Sequence, residues 1–365
     1  MPPSDDVVET FAALSFLPHV GPITSARLLE RFGTPAAILQ ASAGELAAVE
    51  GIGPSRAPDI VRARGEALRL AREEIASARR DGFGVLTPGV PDFPAPLRHM
   101  PDPPSVLYVR GEYREEDGRA VSVVGSRRAT RYGRTQAERI AGDLARRGYT
   151  VVSGLARGID RAAHEGALGA GGRTIAILGS GLRRLYPPEH RELADAIAAN
   201  GAVLSEFPLD TPPDRGNFPR RNRLISALSL GTVVVEADDK SGALITARFA
   251  AEQGREVFAF PGPVDSPASR GTHALIRDGA KLVSSVEDII EEFYDNTPAS
   301  PKQVPALEAL PPGEKQVLDT LSEGAADLET IAVRTGLDIP DAAAALTRLE
   351  LKRLVRRYAN GYARR

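Results

Sequence analysis

Between residues 104 and 285 short apolar stretches recur, three successive ones closing in a turn of small, hydroxyl-bearing residues, with helical patterns between them. The strand candidates are Ser105–Val109, Ala120–Gly125, Thr150–Ser153, Thr174–Leu178, Ala202–Ser205, Thr232–Glu236, Glu256–Phe260 and Lys281–Val283. Their apolar runs are continuous rather than alternating, which is the pattern of strands covered on both faces. In one intervening segment Ala137, Ile140, Ala141 and Leu144 follow i, i+3, i+4, i+7, and Gly148 ends the run. Strands alternating with helices predict an α/β fold with a doubly wound, mostly parallel sheet. Its ligand site is expected beyond the carboxyl ends of the strands.

The flanks have a different grammar. Residues 9 to about 80 read as short helices separated by Gly and Pro, with Ile23, Ala26, Leu29 and Phe32 at helical spacing and Gly33 as a stop. Val20-Gly21-Pro22 and Gly51-Ile52-Gly53-Pro54 each place Gly before a helix with Pro in its first turn. That resembles a helix-hairpin-helix (SAM-like) pair, whose turns aim backbone N–H groups at phosphate. His19 stands where the first hairpin glycine would be, and Pro58 falls inside the second helix, so a plain helical packing domain is the alternative. At the other end, helices near Glu314–Leu321 and Leu328–Arg334 are followed by a third from Pro340 with Ala342, Ala345, Leu346 and Leu349 in phase. Leu354–Tyr358, Asn360-Gly361 and Tyr362–Arg365 then read as a hairpin, completing a winged helix. Its basic tail could meet phosphate, or be a solvated or protein-docking face. The expected division is a helical domain at 1–82, a Rossmann-like domain at 83–295, a proline-rich linker at 296–312 and a winged helix at 313–365.

Composition excludes several function classes. The 365 residues contain no Cys, so there is no disulfide framework, thiolate nucleophile or cysteine zinc site, and the five His are too scattered for a histidine metal site. No apolar run approaches the roughly 20 residues of a membrane helix, and the first ten residues lack the pattern of a secretory signal, so a cytoplasmic protein without membrane contact is expected. The net charge of −2 hides 46 Lys+Arg against 48 Asp+Glu, and phosphate binding depends on local clusters rather than the total.

Those clusters sit at the strand ends. Val123-Val124 leads into Gly125-Ser126-Arg127-Arg128-Ala129-Thr130, Val151-Val152 into Ser153-Gly154-Leu155-Ala156-Arg157-Gly158-Ile159-Asp160, and Ile177-Leu178 into Gly179-Ser180-Gly181. Three such turns in register describe an anion-binding rim, although Arg184 replaces the third glycine of a dinucleotide fingerprint. Arg215, Arg220, Arg221 and Arg223 fall in a stretch without an acid, interleaved with Asn217, Phe218 and Asn222. Arginine offers a fork to phosphate and an aromatic ring offers a face to a base. Lys240-Ser241-Gly242 adds another phosphate contact or is a plain turn. No G-x-S-x-G elbow or Walker motif is present. Asp160 and His164, at i and i+4, form either an acid–base pair or a helix-stabilising contact. Glu206 and Glu236 end strands, which leaves open a nucleotide or sugar-phosphate hydrolase.

The segments VVGSRRATRYG (Val123–Gly133), SGLARGIDRAAHEGAL (Ser153–Leu168), TIAILGSGLRRLYP (Thr174–Pro187), LSEF (Leu204–Phe207), FPRRNRLISALS (Phe218–Ser229), VVVEADDKSGALIT (Val233–Thr246) and GREVFAFPG (Gly254–Gly262) resemble the DprA/Smf family over about half the chain. The resemblance implies a DNA-processing protein of natural transformation, not an enzyme and without cofactors. It would bind and protect incoming single-stranded DNA, load the RecA recombinase onto it, and form a homodimer through its Rossmann-like domain. The implied DNA-binding residues are Ser126, Arg127, Gly154, Arg157, Phe218, Arg220, Asn222, Arg223, Lys240, Ser241 and Gly242. Arg183 and His190 depart from the Asp and Asn usual in that family. A double-strand binder acting through the winged helix is the further alternative.

Overall fold

Continuous apolar runs become buried strands. The structure, a computed structural model, describes residues 5–294, 311–321, 326–351, 355–358 and 361–364. It separates into two compact units, Met1–Asp295 and Asn296–Arg365. In the first unit nine strands form one sheet: β1 (Gly84–Leu86), β2 (Leu107–Gly111), β3 (Ala120–Val124), β4 (Thr150–Ser153), β5 (Thr174–Ile177), β6 (Ala202–Ser205), β7 (Gly231–Val234), β8 (Glu256–Ala259) and β9 (Lys281–Leu282). The spatial order is β1-β2-β6-β5-β4-β3-β7-β8-β9; only β1 and β2 run antiparallel to their neighbours. Along β3 alternate residues serve opposite faces: Val121 and Val123 enter one apolar cluster, Ala120 and Val124 the other. The chain winds outward from β3 to β6, returns past β3 and continues with β7. The crevice of this doubly wound sheet therefore opens where β3 meets β7.

Helices α1 (Asp5–Leu14), α2 (Pro22–Phe32), α3 (Pro35–Gln40), α4 (Ala43–Ala47) and α5 (Gly53–Arg80) precede the sheet. Then follow α6 (Ala95–Arg98), α7 (Arg131–Arg146), α8 (Ile159–Gly169), α9 (Arg191–Asn200), α10 (Asn217–Ala227), α11 (Gly242–Glu252), α12 (Arg270–Arg277) and α13 (Glu287–Tyr294). The apolar stripe expected on α7 is fully buried. The expected stripe of α2 holds at Leu29 and Phe32, which pack against the core beside the buried Ser25 and Leu28, but fails at Ile23, which is 58% exposed. Ser25 is drawn inward by Ser105, the two hydroxyl oxygens lying 2.8 Å apart. Strand β1 was not expected, because it is only three half-exposed residues held by pairing to β2.

The two departures in the helical region are accommodated. His19 takes the left-handed backbone (φ 62) in place of glycine, with Nε2 3.3 Å from Asp59. Pro58 lies in the second turn of α5, whose full length is 28 residues. Arg183 fastens α5 to the sheet: Nε donates to Asp81 (2.7 Å), Nη1 to Asp210 (2.9 Å) and Nη2 to Ser77 Oγ (2.6 Å).

In the second unit α14 (Pro312–Thr320), α15 (Leu328–Thr335), α16 (Ile339–Leu351) and the antiparallel pair β10 (Val355–Tyr358) and β11 (Gly361–Arg364) make a winged helix. Its core joins Val317, Leu318, Ile331, Ala345, Leu346, Leu349 and Val355. Arg348 is tied to the buried Glu314 at 2.8 Å, so one basic residue of the tail serves the fold. The linker residues 296–310 and Asn360 of the hairpin turn lie outside the described residues.

Candidate nucleic-acid interface

At the carboxyl edge of β3 and β7 lies a cavity of about 620 Å³. Its walls come from the β3–α7 turn, the first two turns of α10 and the start of α11. Seven of the expected residues line it: Ser126, Arg127, Phe218, Asn222, Lys240, Ser241 and Gly242. The turn is locked from behind. Ser126 N donates to the Glu236 carbonyl (2.7 Å), and Ile159 N donates to the Ser126 carbonyl (3.2 Å). That approach requires glycine at 158, whose φ is 79 and where a Cβ would sit 2.2 Å from Ser126 O. The floor is equally fixed. Asp160 accepts from Gly154 N (3.1 Å) and Ala156 N (3.3 Å), and Arg221 Nη1 donates to the Gly154 carbonyl (2.8 Å). Burial pushes the Asp160 carboxyl up and Arg221 pulls it down; burial also lowers the Arg221 guanidinium, to about 10.

Above this rigid floor the rim is cationic. Arg127 lies over the Phe218 ring at 4.9 Å from guanidinium carbon to centroid, and Phe218 in turn packs on Tyr186 with centroids 5.7 Å apart. Arg127, Arg128, Arg215 and Lys240 are exposed, and among the described residues none has a carboxylate partner. The contrast is Arg157, at the neighbouring cleft with Gly154, which is paired with Glu189 (Nε to Oε1, 2.6 Å) and lies over Tyr186. Ser241 caps α11, accepting from Ala243 N at 3.3 Å, and Asn222 Nδ2 donates to the Gly242 carbonyl at 3.2 Å.

Two of the expected residues point elsewhere. Arg223 is 4% exposed and bound to Glu206 and Asp102, so its charge is neutralised inside the fold rather than offered to phosphate. Arg220 is exposed but rests on the Phe207 ring, 5.3 Å from its centroid. The reason is helical: Phe218, Arg221, Asn222 and Ile225 stand at i, i+3, i+4, i+7 and share the cavity face, whereas 220 and 223 turn away. That wheel was available in the sequence and selects Arg221 instead.

Glu236 accepts from Thr130 N (2.9 Å) and Thr130 Oγ1 (2.5 Å), locking the start of α7, and Glu206 is held by Arg223. Both carboxylates are thus engaged in the fold. Asp160 and His164 do not bond to each other. His164 Nδ1 lies 2.7 Å from Thr174 Oγ1, and because that hydroxyl donates to Val151 O, the imidazole donates at Nδ1. Nε2 is left buried without a partner, and burial depresses the ring to about 3. The second departure from the expected pattern, His190, is also buried and donates Nδ1–H to the Leu155 carbonyl at 2.9 Å. Among the described residues no acidic or imidazole cluster could hold a metal ion, and no helix is long and apolar enough to cross a membrane.

Comparison with known proteins places this geometry. The family model for DNA recombination-mediator protein A matches residues 84–294, that for the DprA winged helix domain 300–361, and that for the SAM-like helix-hairpin-helix tandem 11–66. Protein Smf of Synechocystis is 36% identical, covering 94% of this chain and 95% of its own. The solved structure of DNA processing protein A from Streptococcus pneumoniae superposes with a TM-score of 0.66 at 33% identity, covering 77% of this chain and 95% of that one. That of DNA processing protein A from Helicobacter pylori, described for its single-stranded DNA binding mode, gives 0.53 at 32% identity, covering 58% and 96%. With three family models in order along the sequence and a relative matched nearly end to end, the chain belongs to the DprA/Smf family.

Proposed function

We propose that this protein captures single-stranded DNA at the carboxyl edge of β3 and β7, protects it, and loads the RecA recombinase onto it during natural transformation. The observation that carries the capture step is the rim itself: four cations without carboxylate partners around an aromatic face, over a floor already hydrogen-bonded internally. Arg127, Arg128, Arg215 and Lys240 neutralise phosphates, while Phe218 offers its ring to a base. Phosphate contacts carry no sequence information, so little base preference is expected. We further propose that it works as a cytoplasmic homodimer through the Rossmann-like domain, without cofactor or turnover. The outer edge of β9 has no neighbouring strand among the described residues, and Val264 and Leu282 are exposed apolar side chains beside one cleft there.

Fluorescence anisotropy with labelled single- and double-stranded oligonucleotides over a salt series tests capture, comparing wild type, Arg127→Ala and a chain ending at Thr297. Preference for single strands, affinity that falls with salt, weakening by Arg127→Ala and indifference to truncation are the expected results. If double strands bind better and truncation abolishes binding, the winged helix is the reader and the rim is not. RecA filament assembly on protein-coated single strands then tests loading.

A further inference from the structure

On the far side of Arg127 and Arg128 the surface dips again, into a groove of about 630 Å³ between the first turns of α7 and α8. Arg127, Arg128, Arg131, Arg134, Arg157 and Arg161 line it. Three glutamates stand among them: Glu189 pairs with Arg157 at 2.6 Å and Glu165 with Arg161 at 2.8 Å, leaving Glu138 against the remaining four arginines. Arg134 spends one donor on the Ala129 carbonyl (2.8 Å). Arg128 and Arg131 have no carboxylate partner among the described residues. The first turn of α7 supplies no acid of its own to Arg131 and Arg134, and Glu236 is spent on Thr130 at the helix N-cap. The only ring in the groove wall belongs to His190, which is 3% exposed. This groove can therefore hold charge but offers a base no exposed aromatic face.

We propose that the α7–α8 groove is a second subsite for the same DNA strand, holding the phosphate backbone of nucleotides that leave the aromatic cavity over Arg127 and Arg128, and reading no base. The proposal rests on the capture reading above. What joins the two sites is that both arginines line both walls, so a polyanion seated in the cavity meets no neutral gap before the groove. What distinguishes them is chemistry: the cavity offers the Phe218 ring, and the groove offers arginines that outnumber its glutamates and no exposed ring. Affinity should then grow with strand length in two stages, and only the first stage should need bases.

The test uses the full chain and oligothymidylates of about five and about fifteen nucleotides, bracketing the site sizes of single-strand binders. A third probe has the long backbone with all but five of its bases removed. Each phosphate contact on a single strand carries a salt exponent of about 0.7, so losing two costs about tenfold in affinity near 0.15 M salt. Arg131→Ala/Arg134→Ala, at the two groove arginines that neither line the cavity nor carry a carboxylate partner among the described residues, should weaken the long strand by that factor, lower its salt exponent by about 1.4 and leave the short strand unchanged. Arg131→Lys/Arg134→Lys should keep most of the affinity, and the base-stripped long probe should bind wild type as well as the intact one does. A double-alanine variant that binds the long strand like wild type overturns the second subsite, as does equal loss on both lengths or a base-stripped probe no better than the short one. Arg127→Ala separates the two readings: if it leaves both lengths unaffected, the capture reading itself fails and the groove with it.

Discussion

The two ends of α8 offer a matched pair of substitutions. Gly158, just before the helix, has φ 79 and ψ −119, and a Cβ there would lie 2.2 Å from Ser126 O and 2.9 Å from both the carbonyl carbon and oxygen of Arg127. Gly171, just past the other end, has φ 71 but nothing within 4 Å. Gly171→Ala carries only the left-handed backbone penalty, about 1–2 kcal/mol. Gly158→Ala adds to a strained backbone of about 1–3 kcal/mol the displacement of a packed main chain, another 1–3 or so, for a total near 4 kcal/mol. The displaced atoms are those that carry Arg127 over Phe218. Losing one phosphate contact costs about fourfold near 0.15 M salt and losing a stacked base about fivefold or more, so Gly158→Ala should weaken single-strand binding by roughly twentyfold. Urea unfolding gives the stability difference, and anisotropy at a temperature where both variants remain folded gives the affinity. Should Gly158→Ala bind single strands as tightly as Gly171→Ala, the β3–α7 turn does not position the site and the reasoning is refuted.

Three further outcomes follow from the same geometry. Phe218→Ala should lower single-strand affinity about fivefold or more with an unchanged salt exponent, whereas Lys240→Ala should reduce that exponent by about 0.7; salt titrations of both variants distinguish stacking from charge. Arg223→Ala leaves the buried Glu206 uncompensated and should destabilise the fold by about 3–5 kcal/mol while the remaining folded protein keeps its salt exponent, which unfolding curves and anisotropy measure together. His164, held near pKa 3, contributes stability that is present above pH 6.5 and lost as the unfolded chain takes up a proton below it, on the order of 3 kcal/mol by pH 4.5; His164→Asn, which keeps a donor toward Thr174, should remove that part of the acid sensitivity in urea titrations at successive pH values.

Strand positions were legible because both faces of the sheet are covered, so continuous apolar runs leave little else to be. Strand β1 was not, since three half-exposed residues carry no pattern and are fixed only by their partner. The rim was legible as a set of turns, for three strand ends with small residues and arginines point to one edge. Which arginine faces the rim was not read correctly, because a cluster in sequence is not a cluster on a helix. Residues 220, 221 and 223 spread round α10 toward Phe207, Gly154 and Glu206 respectively. The role of Arg183 could not be read at all, as Asp81 and Asp210 are distant in sequence and meet it only through the fold.

The carboxylate of Glu236 at the start of α7 has a consequence for release as well as for binding. A helix N-terminus that already holds an internal anion does not grip an incoming one, so on the proposed reading the pull on a strand comes from long, solvated side chains rather than from fixed backbone dipoles. Such cations follow a phosphate as it shifts and exchange it for small ions one at a time. The scaffold beneath is tied together by the hydrogen bonds of Ser126, Asp160 and Arg221. If the proposed capture holds, a strand held this way can slide, and can be drawn off from one end by a tighter binder without the protein having to open.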